Sequence, residues 1–172
     1  MLRQVALLRG VNLGGRKVVM SELRAACEGA GFTDVETLIA SGNLVLGSKL
    51  TDAKLEAKLE KVILEEFGLK TDVYVRTSDE LDAIVAANPF KAFAKTNPNF
   101  FVVYFMRAKA TAAELETIEK TALFGEEAKP GKNCLYVRFP KGQGVSKLKL
   151  PKLGTARNWN TVNKLAAMAA GE

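Results

Sequence analysis

The chain contains no histidine, and that absence excludes more than any motif establishes. Without imidazole there is no Ser-His-Asp or Cys-His nucleophile activation, no imidazole general base and no ordinary zinc site. Any catalysis must run on carboxylates, lysine, arginine, hydroxyls, amides or the backbone. Cysteine is nearly missing too. Cys27 and Cys134 are too few and too far apart for a disulfide framework or a CxxC metal site, and a reducing cytoplasm is the expected setting. Long apolar runs are also lacking. Val5-Ala6-Leu7-Leu8 is interrupted by Arg9 after four residues, so it makes no secretory h-region, and no run reaches membrane-spanning length. No cofactor, metal ion or membrane contact is expected.

What is present suffices for a core. A chain of 172 residues with 48% hydrophobic content buries one good core, or two small ones, without disulfides. Its net charge of +6 is uneven. Residues 129–172 carry nine Lys/Arg against one acid, a local +8 that leaves the preceding residues at −2. Such asymmetry fits a polyanion or a phosphorylated partner, and it equally fits a lysine-rich surface kept soluble by like charge.

Residues 1–77 read β-α-β-β-α-β. Gln4 to Gly10 is a buried-strand pattern, and Ser21 is placed to N-cap a helix with Leu23, Ala26, Cys27 and Ala30 on one face. Val35 to Ala40 and Leu44 to Leu46 flank the hairpin signal Ser41-Gly42-Asn43. Thr51 or Asp52 begins a helix bearing Leu55, Leu59, Val62, Ile63 and Phe67, which Gly68 ends, and Asp72 to Arg76 is a fourth strand. This is the order of a ferredoxin-like sandwich, so an α+β fold is expected. The first and third strands are apolar on both faces, which requires a cover for the open face. The obvious cover is the rest of the chain, packed as one rigid body with the first part; a partner chain is the alternative.

Residues 78–172 read as a second α+β subdomain. Thr77 with Glu80 and Thr111 with Glu114 are capping-box patterns. Asn88-Pro89 and Asn97-Pro98 punctuate a loop-like boundary region. Phe100 to Met106 and Cys134 to Phe139 are strand patterns, and a Gly- and Lys-rich stretch at 140–154 leads into a final helix with Trp159, Val162, Leu165 and Ala166.

Two segments carry the candidate chemistry. Topology brings the loop after strand one near the hairpin, which groups Arg9, Gly10, Asn12, Gly14, Gly15, Arg16 and Lys17 with Ser41 and Asn43. Glycines allow close backbone approach, and the following helix start favours an anion. The pattern is neither a Walker A loop nor GxGxxG, and its glycines and asparagines also suit a tight turn with local hydrogen bonds. In Gly154-Thr155-Ala156-Arg157-Asn158-Trp159, Arg157 occupies or precedes a first helical turn, where a cation opposes the dipole unless an anion is bound. Thr155, Arg157 and Asn158 are the expected anion contacts, with pairing of Arg157 to a carboxylate of the chain as the alternative. Cys27 is expected in the core.

Leu8-Arg9-Gly10-Val11-Asn12-Leu13-Gly14-Gly15, Ser41-Gly42-Asn43, Asn88-Pro89-Phe90 and Gly154-Thr155-Ala156-Arg157-Asn158-Trp159, followed by Thr161-Val162 and Lys164-Leu165, resemble the bacterial domain of unknown function 1697 (DUF1697) family. The resemblance spans essentially the whole chain. It implies an α+β protein complete at about this length, and brings no established activity, substrate or catalytic residue. Three functions follow as expectations. The first is a binding protein for a phosphorylated small molecule, a nucleotide-like anion or nucleic acid. The second is a phosphoryl or acyl-phosphate hydrolase or transferase, because a ferredoxin-like sheet with an arginine-bearing loop is similar in layout to acylphosphatases. There Arg9 or Arg16 holds phosphoryl oxygens and Asn43 or Asn12 positions water, though the loop does not reproduce their signature. The third is a protein–protein interaction module. Base stacking in the RRM manner is disfavoured, since strands one and three lack aromatics.

Overall fold

Every residue from Val5 to Leu8 and from Leu44 to Leu46 is buried, and these two runs form the centre of the first sheet. The computed structural model describes residues 2–10, 18–38 and 42–171. Two compact units emerge, one comprising 1–82 with 165–172 and the other 83–164.

The first unit contains β1 (Leu2–Leu8), α1 (Met20–Gly29), β2 (Thr33–Leu38), β3 (Asn43–Ser48), α2 (Asp52–Phe67) and β4 (Val73–Thr77). Its sheet has the order β2-β3-β1-β4, with every neighbouring pair antiparallel. That is the expected ferredoxin-like topology. Alternate strand residues Ala6, Leu8, Leu44, Leu46, Val73 and Val75 form one core with Leu23 and Cys27 of α1 and Leu55, Leu59 and Ile63 of α2. Each such large side chain contributes about 1.5–3 kcal/mol relative to exposure. The other strand parity, Val5, Leu7, Val45 and Tyr74, is buried too, as strands apolar on both faces require.

The helix boundaries follow local chemistry with one shift. Gly68 ends α2 at φ +64° and donates its N–H to Leu64 O at 2.9 Å, the left-handed C-terminal turn that glycine accepts without strain. The first helix begins one residue before the expected cap. Val19 precedes it, Ser21 lies inside its first turn, and no side chain caps it.

The chain continues with α3 (Ser78–Ala86), α4 (Lys91–Thr96), β5 (Phe101–Phe105), α5 (Ala112–Thr121), β6 (Glu127–Gly131), β7 (Cys134–Arg138), β8 (Thr155–Asn158) and α6 (Trp159–Ala169). Both capping boxes form. Thr77 N–H donates to Glu80 Oε1 at 2.9 Å and Glu80 N–H to Thr77 Oγ1 at 3.1 Å, with the same reciprocal pair at Thr111 and Glu114.

The second sheet, β6-β7-β5-β8, repeats the antiparallel order of the first. β5 to β8 therefore correspond to β1 to β4, and α5 to α1. No helix stands where α2 would. Instead a short 3-10 turn at Gln143–Val145 leads into an extended segment whose Leu148 and Leu150 pack against the core cluster that includes Val102, Leu135 and Val137.

Two strands depart from the sequence reading. β6 contains Lys129-Pro130-Gly131, which reads as a turn. It is tolerated because β6 is an edge strand, where proline need not donate. β8 replaces the helix start expected over 154–158. Val103 pairs with Arg157 and Val102 with Asn158, so this backbone joins a ladder and α6 begins only at Trp159.

Candidate functional site

At one end of the first sheet, β1, β3 and β4 converge. Leu8 N–H donates to Gly42 O at 2.9 Å, and Leu7 pairs with Asn43, so the end of β1 does lie beside the hairpin. Gly10 and Gly42 have φ of +69° and +80°, left-handed conformations that make both turns glycine-dependent. Arg9 is tied in three ways. Its N–H donates to Asp72 O at 3.0 Å, its carbonyl accepts from Thr71 Oγ1, and its Nη1 lies 3.4 Å from Asp72 Oδ2. The Arg9 side chain is 42% exposed, which leaves part of the guanidinium open beside a solvent-screened ion pair. Asn43 is fully buried and donates Nδ2–H to Leu38 O at 2.9 Å, closing the hairpin. Asn12, Gly14, Gly15, Arg16, Lys17 and Ser41 lie outside the described residues.

The other motif is brought together by β8. Arg157 is buried and donates from Nη1 to Thr155 Oγ1 at 2.6 Å and to Ala156 O at 2.9 Å. Burial lowers its pKa to about 10, since desolvation penalises the cation. The expected conflict with a helix dipole does not arise in the form supposed, because Arg157 sits in a strand. Asn158 Oδ1 accepts Thr161 N–H at 2.9 Å and so caps α6. Trp159 meets Phe101 edge-on at 5.3 Å. Gly154 is required by close packing: an added Cβ would collide with the Tyr104 ring and lie 2.9 Å from Phe105 O.

Arg76 of β4, which the sequence sets apart from the Gly-rich loop at the opposite end of the sheet, pairs near the start of β1. It is buried, pairs with Val5 as Arg157 pairs with Val103, and donates Nη1–H to Val75 O at 2.8 Å. The repeated strand order makes the two arginines counterparts.

Charge is divided between the units more sharply than along the sequence. The unit 83–164 holds fourteen Lys/Arg against five acids, a net +9, while the remainder of the chain is −3. Lys129, Lys132, Lys141, Lys147, Lys149, Lys152 and Lys164 are all exposed, and none is ion-paired among the described residues. Arg138 pairs with Glu127 at 2.8 Å and, with Lys129, faces the Phe90 ring. Cys27 is buried at the α1 core face, and burial, with Glu28 adding to it, pushes its thiol up to about 12, which disfavours the reactive thiolate. Among the described residues no acidic or cysteine cluster could hold a metal, and no helix is long and apolar enough to cross a membrane.

The architecture is an α+β protein with two antiparallel four-stranded sheets of one topology. A family model described as "Protein of unknown function (DUF1697)" matches residues 1–136, and the chain belongs to that family. The solved structure of the conserved bacterial protein SP0830 from Streptococcus pneumoniae is similar over 98% of each chain, at 26% identity and a TM-score of 0.78. No curated protein matches the chain.

Proposed function

We propose that this protein binds a phosphate-bearing polyanion through its basic unit, residues 83–164. The observation that carries this is the set of seven exposed lysines without ion pairs among the described residues, in a unit of net +9. Like charges gathered on one unit repel and cost stability; a polyanion offsets that cost and releases counterions on binding. Binding to heparin and to duplex DNA, followed across salt, tests the reading. Affinity should fall steeply with salt, and Lys147→Ala with Lys149→Ala should flatten the slope. Retention no greater than that of a neutral protein of the same size would refute it.

A second reading is favoured by the end of the first sheet. There the two left-handed glycines and the part-open Arg9 guanidinium suit a small phosphorylated ligand, Asp72 being the anion it would displace. Inorganic phosphate or acetyl phosphate should raise the thermal midpoint saturably, and Arg9→Ala should abolish the rise. Turnover of acetyl phosphate lost in Arg9→Ala would extend the reading to hydrolysis. No rise with either compound would remove it.

A further inference from the structure

Exposed aromatic rings in the basic unit are not scattered. Phe100 and Phe124 are 42% and 41% exposed, and both adjoin the lysine-bearing strap that takes the place of a second helix. At its start, Phe100 O accepts Phe139 N–H at 2.8 Å, and a Cβ on Gly142 would meet Phe100 Cε1 at 3.7 Å. Further along, Glu126 ties the strap to the turn carrying Phe124. Its Oε1 accepts Phe124 N–H and its Oε2 accepts the Ser146 hydroxyl, each at 2.5 Å. Lys149 N–H adds a bond to Thr121 Oγ1 at 3.0 Å. Lys141, Lys147 and Lys149 are exposed along this strap, which runs from the neighbourhood of Phe100 to that of the Phe124 turn.

Lysines that meet phosphates, interleaved with rings that meet bases, are the requirements of a single strand whose bases are free to stack. A duplex offers the phosphates and keeps its bases stacked internally, so it leaves the rings without partners. An anionic lipid surface would also attract the lysines. It has no use, however, for the exposed amides beside Phe100, where Asn160 Nδ2 donates to Asn99 Oδ1 at 3.3 Å and Gln143 is open to solvent. Such groups lose hydration in an apolar interface and retain hydrogen-bonding partners on base edges. We infer that the strap from Lys141 to Lys149 is a contact for single-stranded nucleic acid, with Phe100 and Phe124 as its stacking surfaces. The inference rests on the polyanion reading above.

The test uses the full chain and fluorescence anisotropy with a short labelled oligothymidylate, a duplex of equal length and heparin. Vesicles with and without phosphatidylserine complete the set. The single strand should bind more tightly than the duplex. Phe100→Ala and Phe124→Ala should each weaken it about 5- to 100-fold, as loss of one stacked base does, while duplex and heparin binding stay unchanged. Phe100→Tyr and Phe124→Tyr keep a ring, should retain binding, and carry the test if an alanine variant lowers the thermal midpoint. Alanine variants that bind the strand like the parent would overturn the stacking assignment while duplex and heparin binding leave the polyanion reading standing. Failure to bind any polyanion would remove both. Tighter binding to phosphatidylserine vesicles than to the strand would overturn the inference in favour of a lipid surface.

Discussion

Gly154→Ala should be destabilising out of proportion to the single methyl group that it adds. The new Cβ would lie 2.9 Å from Phe105 O and closer still to the Tyr104 ring, and neither neighbour has an easy way to yield. Phe105 pairs with Thr155 in the β5–β8 ladder, so its carbonyl is held in the sheet. Tyr104 is buried and its hydroxyl donates to Pro151 O. Overpacking a site that cannot relax costs about 2–3 kcal/mol. For a chain of this size each kcal/mol moves the midpoint by about 2–4 °C, so a fall of about 4–12 °C is expected. Differential scanning fluorimetry reads the shift, with two internal controls. Gly144→Ala meets nothing within 4 Å and should be near neutral. Gly29→Ala, at the last position of α1 and equally open, should gain a few tenths of a kcal/mol to about 1 kcal/mol, because alanine loses less backbone freedom in a helix. A fall below about 1 °C for Gly154→Ala would show that β5 and β8 shift freely, and would refute packing as the reason for glycine there.

Asn158→Ala removes the α6 cap on Thr161 N–H and should cost about 1 kcal/mol in urea unfolding, whereas Asn158→Asp should cost little. Burial opposes ionisation of Glu126, but hydrogen bonds from Ser146, from its own backbone and from Phe124 outweigh it and hold the carboxyl below its ordinary value. A depressed folded value means that the stabilisation is present above the unfolded carboxyl range and is lost as pH falls through the folded value. Urea midpoints taken from about pH 6 down to about pH 2 should fall more in the parent than in Glu126→Gln. The Cys27 thiol, raised to about 12, should resist iodoacetamide at neutral pH in the native protein and react at an ordinary rate in urea. Its raised value also means that whatever stability it confers holds below the ordinary thiol range and is lost as pH rises toward about 12.

The first sheet was legible because each of its elements announces itself locally. Four short apolar runs, two amphipathic helices and their terminal glycines fall in an order with one common antiparallel solution, and the strand order found is that one. The capping boxes at Thr77 and Thr111 were legible for the same reason, since a reciprocal pair three residues apart needs no distant partner. β6 and β8 were not. Glu127–Gly131 has neither alternation nor β-branched residues and holds proline, and Thr155–Asn158 resembles a helix start. Both are strands because a neighbouring edge supplies hydrogen bonds that local preference does not foresee.

The candidate sites divide in the same way. Arg9, Gly42 and Asn43 were placed together by topology alone, yet only the structure commits the Asn43 amide to Leu38 and sets Asp72 against Arg9. For Arg157 and Asn158 the residue types suggested an anion, whereas the fold gives them Thr155 and the α6 N-terminus as partners.

Composition by itself determined what this protein does without, and where its charge lies along the chain. A missing imidazole or a run of lysines is a property of the list of residues, independent of how they pack. Only the tertiary structure decided which lysines stand unpaired, that the positive charge gathers on one unit, and that Phe100 and Phe124 remain open beside it. Exposure and pairing depend on residues far apart in sequence, and chain order does not encode their distance.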